Sequence, residues 1–537
     1  MRPELRTSQS GRLFSIAVLL FGLLASPAFS QIKGGAVTTV LHSDPTGLVL
    51  AFTSNGPAQL VASKIYEGLV TYSTDLKPQP SLARSWDISA DGLTYTFKLQ
   101  PNVQWSDGKP FSSADVVFSL AKMLPQTSAG ARLALEDVQS VEAPDAQTVV
   151  IKLRKPVPYF IMVFPSVALP IMPKHVYDGT DYTKNPANAA PLGTGPFKLA
   201  EWRRGSFLRL VRNEHYWKKD RPLVDSITYR IIPDAASRAI ALETGDIQIA
   251  TGLDLSSSDI KQFKASKDFE VTSAGWEYLS QINMLVVNTR KPILNDVRFR
   301  QALYYAIDRQ LVLDRIWQGV GRIATGPVNS KIPFYTKDVR HYDFDPAKSK
   351  ALLDQLGFRA DANGARSDAG GNRLKVSLVV LPGDERYAQL GQYLREAWKA
   401  VGVEVDLQVT DTAGWEDRIR NWDFDILMNS LNQYGDPGFG ARRYYVTSNI
   451  KKGDMFNNES GYSNPDVDKW FDEANSEMDP AKRANLYGRI QRKLVEDVPV
   501  LWLLEVEQLT ISNKRVRNVI TTAFGPRGPW DELYLAK

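Results

Sequence analysis

The sequence predicts an α/β protein of closely packed lobes, and three observations carry the prediction. Stretches in which apolar residues alternate with polar ones follow stretches in which they recur at helical spacing. About 507 of the 537 residues follow a leader-like N-terminus, which at roughly 100–200 residues per domain suggests two or three domains. One exposed connector rich in Gly, Ala, Asn and Asp spans 361–372, with no internal repeat and no long linker elsewhere.

The first thirty residues read as a signal peptide. Arg2, Arg6 and Arg12 form a positive start, residues 13–24 are almost wholly apolar, and Ala28-Phe29-Ser30 places small residues where a signal peptidase cuts. Twelve apolar residues are too few to span a bilayer, which needs roughly 20. The mature chain is expected to begin near Gln31. No Cys follows, so a lipid anchor on an N-terminal cysteine is excluded and a soluble periplasmic product is expected. Arg2, Arg6 and Arg12 against Glu4 give the leader +2, so the formal +5 falls to +3. Acidic and basic residues are interspersed, which gives no footprint for nucleic acid.

Residues 34–51 suggest an opening strand and loop, and 58–69 a helix ending near Gly68. Leu93, Tyr95, Phe97 and Leu99 alternate with polar residues, the pattern of a half-buried strand. Asp91-Gly92 and Asp107-Gly108 supply tight turns on either side, and Ser112 or Ser113 caps a helix striped by Val116, Val117, Leu120 and Met123. Strands are predicted over 148–153, 207–211 and 227–232, with Gly193-Thr194-Gly195-Pro196-Phe197 as a turn into a further strand. A helix over 235–242 closes at Gly245; a strand over 281–288 precedes a helix capped by Asp296. A helix over 347–356 stops at Gly357. Beyond the connector, 374–381, 387–401, 403–409 and 424–428 read as strand, helix, strand and strand. Asp479 caps and Pro480 starts a last helix, before an apolar strand over 500–504.

Signals of catalysis are missing. There is no G-x-S-x-G turn, no cysteine, and His42, His175, His215 and His341 are scattered, which gives no protein-only metal site. Gly193-Thr194-Gly195 lacks the rest of a phosphate loop. Asp423 and Asp425, two apart on a predicted strand, share a face at a spacing glycosidases use, and a solvated strand entry explains them as well. No catalytic residue and no cofactor is assigned.

Several blocks together carry a resemblance. They include Ser85-Trp86 with residues 91–97, Trp105 with Asp107-Gly108, Gly193 to Phe197, Asn213 with Tyr216-Trp217, Asp296-Val297-Arg298, residues 306–309, Gly435-Asp436-Pro437 and residues 462–468. In this order they resemble the periplasmic peptide-type (family 5) solute-binding proteins of ABC transporters. That resemblance implies a two-lobed periplasmic binding protein fold of class II with an extra subdomain in the first lobe. It places lobe I at 31–280 (subdomain about 70–205), lobe II at 281–505 and a C-terminal return to lobe I at 506–537. It implies a monomer that closes on a solute and delivers it to a permease and ATPase complex at the inner membrane.

The resemblance also leaves the ligand open among a peptide or peptide-like solute, an oligosaccharide, an opine and a chelated metal. Dipeptide-binding members hold the peptide's amino group with an acid before Gly-Asp-Pro and its carboxylate with an arginine before the long second-lobe helix. Here those positions carry Gln433 and Leu381, so strict dipeptide binding is not expected. Asn432, Gln433 and Tyr434 occupy the family's ligand-facing stretch. Arg386 is a shifted candidate for an anion contact. Trp276 with Glu277, and Ser54 with Asn55, complete the candidates, and Arg442 or Arg443 is open as an anion contact.

Overall fold

The computed structural model describes residues 31–53 and 55–536; the predicted signal peptide and Ser54 lie outside them. Two sheets organise the chain. The first has seven strands in the order Phe269–Thr272, Thr510–Asn513, Ile249–Thr251, Ala36–Leu41, Ser226–Ile231, Phe207–Arg212 and Phe197–Arg203. Ala36–Leu41 pairs in parallel with Ser226–Ile231 and Ile249–Thr251, and the other pairings are antiparallel. The second has six strands in the order Arg322–Ile323, Val500–Val506, Gln281–Val287, Ile426–Asn432, Lys375–Val379 and Glu404–Gln408. Its three central strands are almost wholly buried, which accounts for runs such as Val500 to Leu504 that are apolar without alternation.

A four-stranded antiparallel sheet, Ala83–Ile88, Thr94–Leu99, Thr148–Leu153 and Val138–Asp145, is inserted between the first and later strands of the seven-stranded sheet. Tyr95, Phe97 and Leu99 are buried from it, as their alternation requires. Its apolar face belongs to the same core cluster as the seven-stranded sheet, whereas the six-stranded sheet has a separate core around Trp398 and Trp502.

Local signals fixed many element ends. Ser112 and Asp115 form a reciprocal capping box at the helix Ser113–Val117, which runs on through wider turns to Thr127. Asp296, Asp384 and Asp479 each accept backbone N–H bonds at the helices Val297–Tyr305, Glu385–Lys399 and Pro480–Asp497. The helix predicted over 58–69 is shorter, Gly56–Ala62. The chain must bend past Gly68, where any Cβ would lie 2.1 Å from the Phe164 carbonyl oxygen. The connector over 361–372 holds part of a small hairpin, Arg359–Ala360 with Arg366–Ser367.

The chain leaves the first sheet after Thr272 and enters the second at Gln281; it leaves the second at Val506 and re-enters the first at Thr510. The two crossings run side by side. Gln281 pairs with Val506, and Trp276 donates its indole N–H to Thr510 Oγ1 at 3.2 Å. Two short adjacent stretches of chain joining two sheets with separate cores have the arrangement of a hinge.

Candidate functional site

The second-lobe strand Ile426–Asn432 ends at the hinge, where Asn432 pairs with Gln281 and the Gln433 N–H reaches the Ser280 carbonyl at 2.9 Å. The chain then turns sharply. Tyr434 (φ +50°) and Gly435 (φ +73°) both adopt left-handed backbone, unusual for a bulky residue such as tyrosine. Gly440 folds back so closely that a Cβ there would lie 1.8 Å from the Gln433 carbonyl oxygen.

Asp436 holds this turn. It accepts the Gly438 N–H at 2.8 Å and two guanidinium bonds from Arg483 at 3.0 and 3.1 Å, with both side chains buried. The acid of Gly-Asp-Pro is therefore a strut that fixes the loop carrying Gln433 and Tyr434.

The seam contains polar atoms that are buried and unpaired. Ser280 Oγ, Asn283 Nδ2, Ser430 Oγ, Asn432 Oδ1 and Gln433 Oε1 have no hydrogen-bond partner among the described residues. Each such group costs about 1–3 kcal/mol. They concentrate on adjacent strand ends, where they are open to a further hydrogen-bond partner. They are neutral donors and acceptors, the kind that match backbone amides.

Tyr434 projects from the second lobe into aromatic residues of the first. Its ring lies 6.0 Å from Tyr278, edge-on, and 5.4 Å from Phe439, which stacks on Tyr159 at 6.0 Å. Tyr278 is tied to the inserted subdomain through its hydroxyl, which donates to the Met162 carbonyl at 2.7 Å. Arg442 reaches across to Glu136 at 3.7 Å while also pairing with Asp472 at 3.1 Å. Burial raises the Glu136 carboxyl, and Arg442 opposes that rise.

Behind the turn, Arg443 lies over the rings of Tyr434 at 5.1 Å and Tyr444 at 4.6 Å, its Nε buried without a partner. Glu459 is buried beside it. Burial pushes this carboxyl up to about 7 despite backbone donors and Arg443.

The other sequence candidates have different surroundings. Trp276 is buried at the hinge with the Arg527 guanidinium 5.4 Å from its ring centre. Asn55 spends its amide locally: Oδ1 caps the helix Gly56–Ala62 through the Ala58 N–H at 2.8 Å, and Nδ2 donates to Thr46 and Thr53 hydroxyls. Arg386 is bound to its own helix cap, Asp384, by bonds of 2.9 and 3.0 Å, so its charge is already matched. Its neighbour Tyr387 reaches Asn283 Oδ1 at 3.3 Å. Leu381 packs partly buried on the second core. The structure thus gathers Trp276, Asn432, Gln433 and Tyr434 at the hinge, with Asn55 and Arg386 engaged in capping contacts.

Asp423 and Asp425 lie before the strand and form no acid pair. Asp423 binds Arg418 at 3.0 Å, while Asp425 accepts the Ser377 N–H at 2.7 Å and pairs with Lys291. No group of three or more metal-ligating side chains converges among the described residues, and no described helix is long and apolar enough to cross a membrane.

The chain belongs to the bacterial extracellular solute-binding proteins of family 5, whose middle region matches residues 77–452. Protein XP55 of Streptomyces lividans is 31% identical over 475 residues, covering 87% of this chain and 84% of that protein. The oligopeptide-binding protein AppA of Bacillus subtilis is 28% identical over 485 residues, covering 88% and 86%. The solved structure of that AppA, in complex with a nonapeptide, matches with a TM-score of 0.81 at 24% identity over 95% of this chain and all of that one. The two-lobed α/β fold is common to both.

Proposed function

We propose that this protein is the periplasmic substrate-binding component of an ABC importer, taking a peptide or peptide-like solute between lobes at 31–280 and 281–505. Residues 506–537 return to the first lobe. The protein acts as an exported monomer, needs no cofactor, leaves the solute chemically unchanged and hands it to a permease and ATPase complex. The observation that carries this reading is the row of buried, unpaired neutral groups at Ser280, Ser430, Asn432 and Gln433, which suits the donors and acceptors of a peptide backbone. The oligopeptide-binding relative is consistent with it.

Closure supplies the mechanism. Contacts such as Tyr434 against Tyr278 and Arg442 with Glu136 exist only when the lobes meet. A solute that bonds both lobes binds the closed form better and shifts the population toward it, and the permease reads that form. Mass spectrometry of the protein purified natively from its host tests the reading. A bound peptide, recovered intact, supports it. A sugar, an opine or a metal chelate in its place, or turnover of the ligand, overturns it.

A further inference from the structure

Arg527 stands out among the charged groups near the seam. It belongs to the C-terminal return, in the sequence Gly525-Pro526-Arg527-Gly528-Pro529, and its guanidinium forms no ion pair and no hydrogen bond among the described residues. Its Nε is buried and unpartnered. The guanidinium lies 5.4 Å from the ring centre of Trp276, and its Nη2 lies 3.7 Å from where a Cβ on Gly56 would be. Burial lowers the proton affinity of this guanidinium, and Tyr434 of the opposite lobe opposes that fall.

A buried amine stands behind it. Lys64 is fully buried, donates to the Pro526 carbonyl and to Ser63 Oγ at 3.1 Å, and sits 4.3 Å from the centre of the Trp530 ring. It too has no ion pair, and burial with repulsion from Arg527 lowers its proton affinity well below the usual lysine range. A guanidinium without an acid makes an electrostatically incomplete site, because a buried charge is costly until a counter-charge reaches it. Gly525 lets the chain pack against Trp276, where a Cβ would lie 2.8 Å from the indole ring, and Pro526 restricts the backbone that carries Arg527.

The geometry points to an anion site in the first lobe: Arg527, backed by Lys64 and resting on Trp276, receives a carboxylate of the ligand opposite Tyr434. In a peptide this is the C-terminal carboxylate, which the missing arginine at Leu381 leaves without a holder. The inference rests on the peptide reading only for that assignment. Arginine suits the task because its planar fork bonds a carboxylate through two parallel N–H groups.

The test uses the full mature chain and a pool of synthetic peptides of two to nine residues, each as free acid and as C-terminal amide, with binding measured calorimetrically. Free acids are expected to bind wild type on the order of 100-fold tighter than amides. Arg527→Gln should abolish that preference, and Arg527→Lys should restore part of it. The empty Arg527→Gln protein should melt no lower than wild type, since an unmatched charge has been removed. Equal binding of acids and amides by wild type, or an undiminished preference in Arg527→Gln, overturns the inference. If no peptide binds in either form, the peptide reading fails separately. The anion site is then decided by melting shifts with citrate and inorganic phosphate. A shift in wild type that Arg527→Gln loses upholds it, and no shift in wild type overturns it.

Discussion

Replacing Asp436 by alanine removes the strut of the loop carrying Gln433 and Tyr434, and its cost follows from the contacts. The carboxylate matches the buried Arg483 guanidinium through two bonds and also satisfies the Gly438 N–H. Breaking a buried pair costs about 3–5 kcal/mol because the remaining charge is left uncompensated. Arg483 keeps the Ala474 carbonyl at 3.1 Å, the Tyr487 hydroxyl at 3.1 Å and the Phe334 ring at 4.7 Å, which pulls the figure to the lower end. The orphaned Gly438 N–H adds about 1 kcal/mol, so Asp436→Ala should destabilise by about 4 kcal/mol. Urea unfolding followed by tryptophan fluorescence measures it, with the midpoint read at constant slope. Asp436→Leu combined with Arg483→Met should recover most of the loss, because an apolar pair leaves no buried charge. A loss below about 1 kcal/mol for Asp436→Ala, or a double variant as damaged as the sum of its parts, would refute the assignment of this acid to structure.

Three further outcomes follow from the same contacts. Glu67 and Glu459 have carboxyls raised from 4.5 to about 7, so the folded state keeps protons that the unfolded chain releases. Stability should fall as pH rises from about 4.5 to about 7 and then level, by roughly 3 kcal/mol per group. Glu459→Gln should gain on wild type over that window in denaturation at stepped pH, and a pH-independent difference contradicts this. Glu136→Gln removes an interlobe ion pair whose partners are 44% and 15% exposed, so solute affinity should drop about two- to fivefold at low salt and match wild type at high salt. Equal affinities at low salt would show that the pair does not assist closure. Gln433→Leu replaces a buried unpaired amide with an apolar group of similar size, so the empty protein should melt at or above the wild-type temperature while binding weakens at least tenfold. Unchanged affinity would remove Gln433 from the site.

Where one local interaction decides a structure, the sequence was legible. The cap at Ser112, one of the two serines expected, the Asp296 and Asp479 caps and the alternation from Tyr95 to Leu99 each appear where expected. The strand predicted over 424–428 runs further in the structure, Ile426–Asn432, and its end was not read because it carries Asn429, buried, and Ser430 and Asn432, half-buried, polar residues against the usual preference. Polar residues break the hydrophobic pattern there, so pattern reading stopped short of the strand's end. Asn55, a helix cap, and Arg386, paired with the cap Asp384, differ from ligand contacts only through their neighbours. Arg527 was missed because its meaning depends on Trp276, Lys64 and Tyr434, which the fold brings together from distant parts of the chain. The only trace in sequence was a lone arginine framed by two Gly-Pro steps.

The absence of native cysteine makes the central claim directly measurable. Ala143→Cys on the subdomain strand Val138–Asp145 and Lys482→Cys on the helix Pro480–Asp497 place spin labels at exposed sites on opposite lobes. Saturation with the natively bound solute should shorten and narrow the label-to-label distance distribution. An unchanged distribution, with binding confirmed on the same sample, would contradict closure of two lobes around a shared guest.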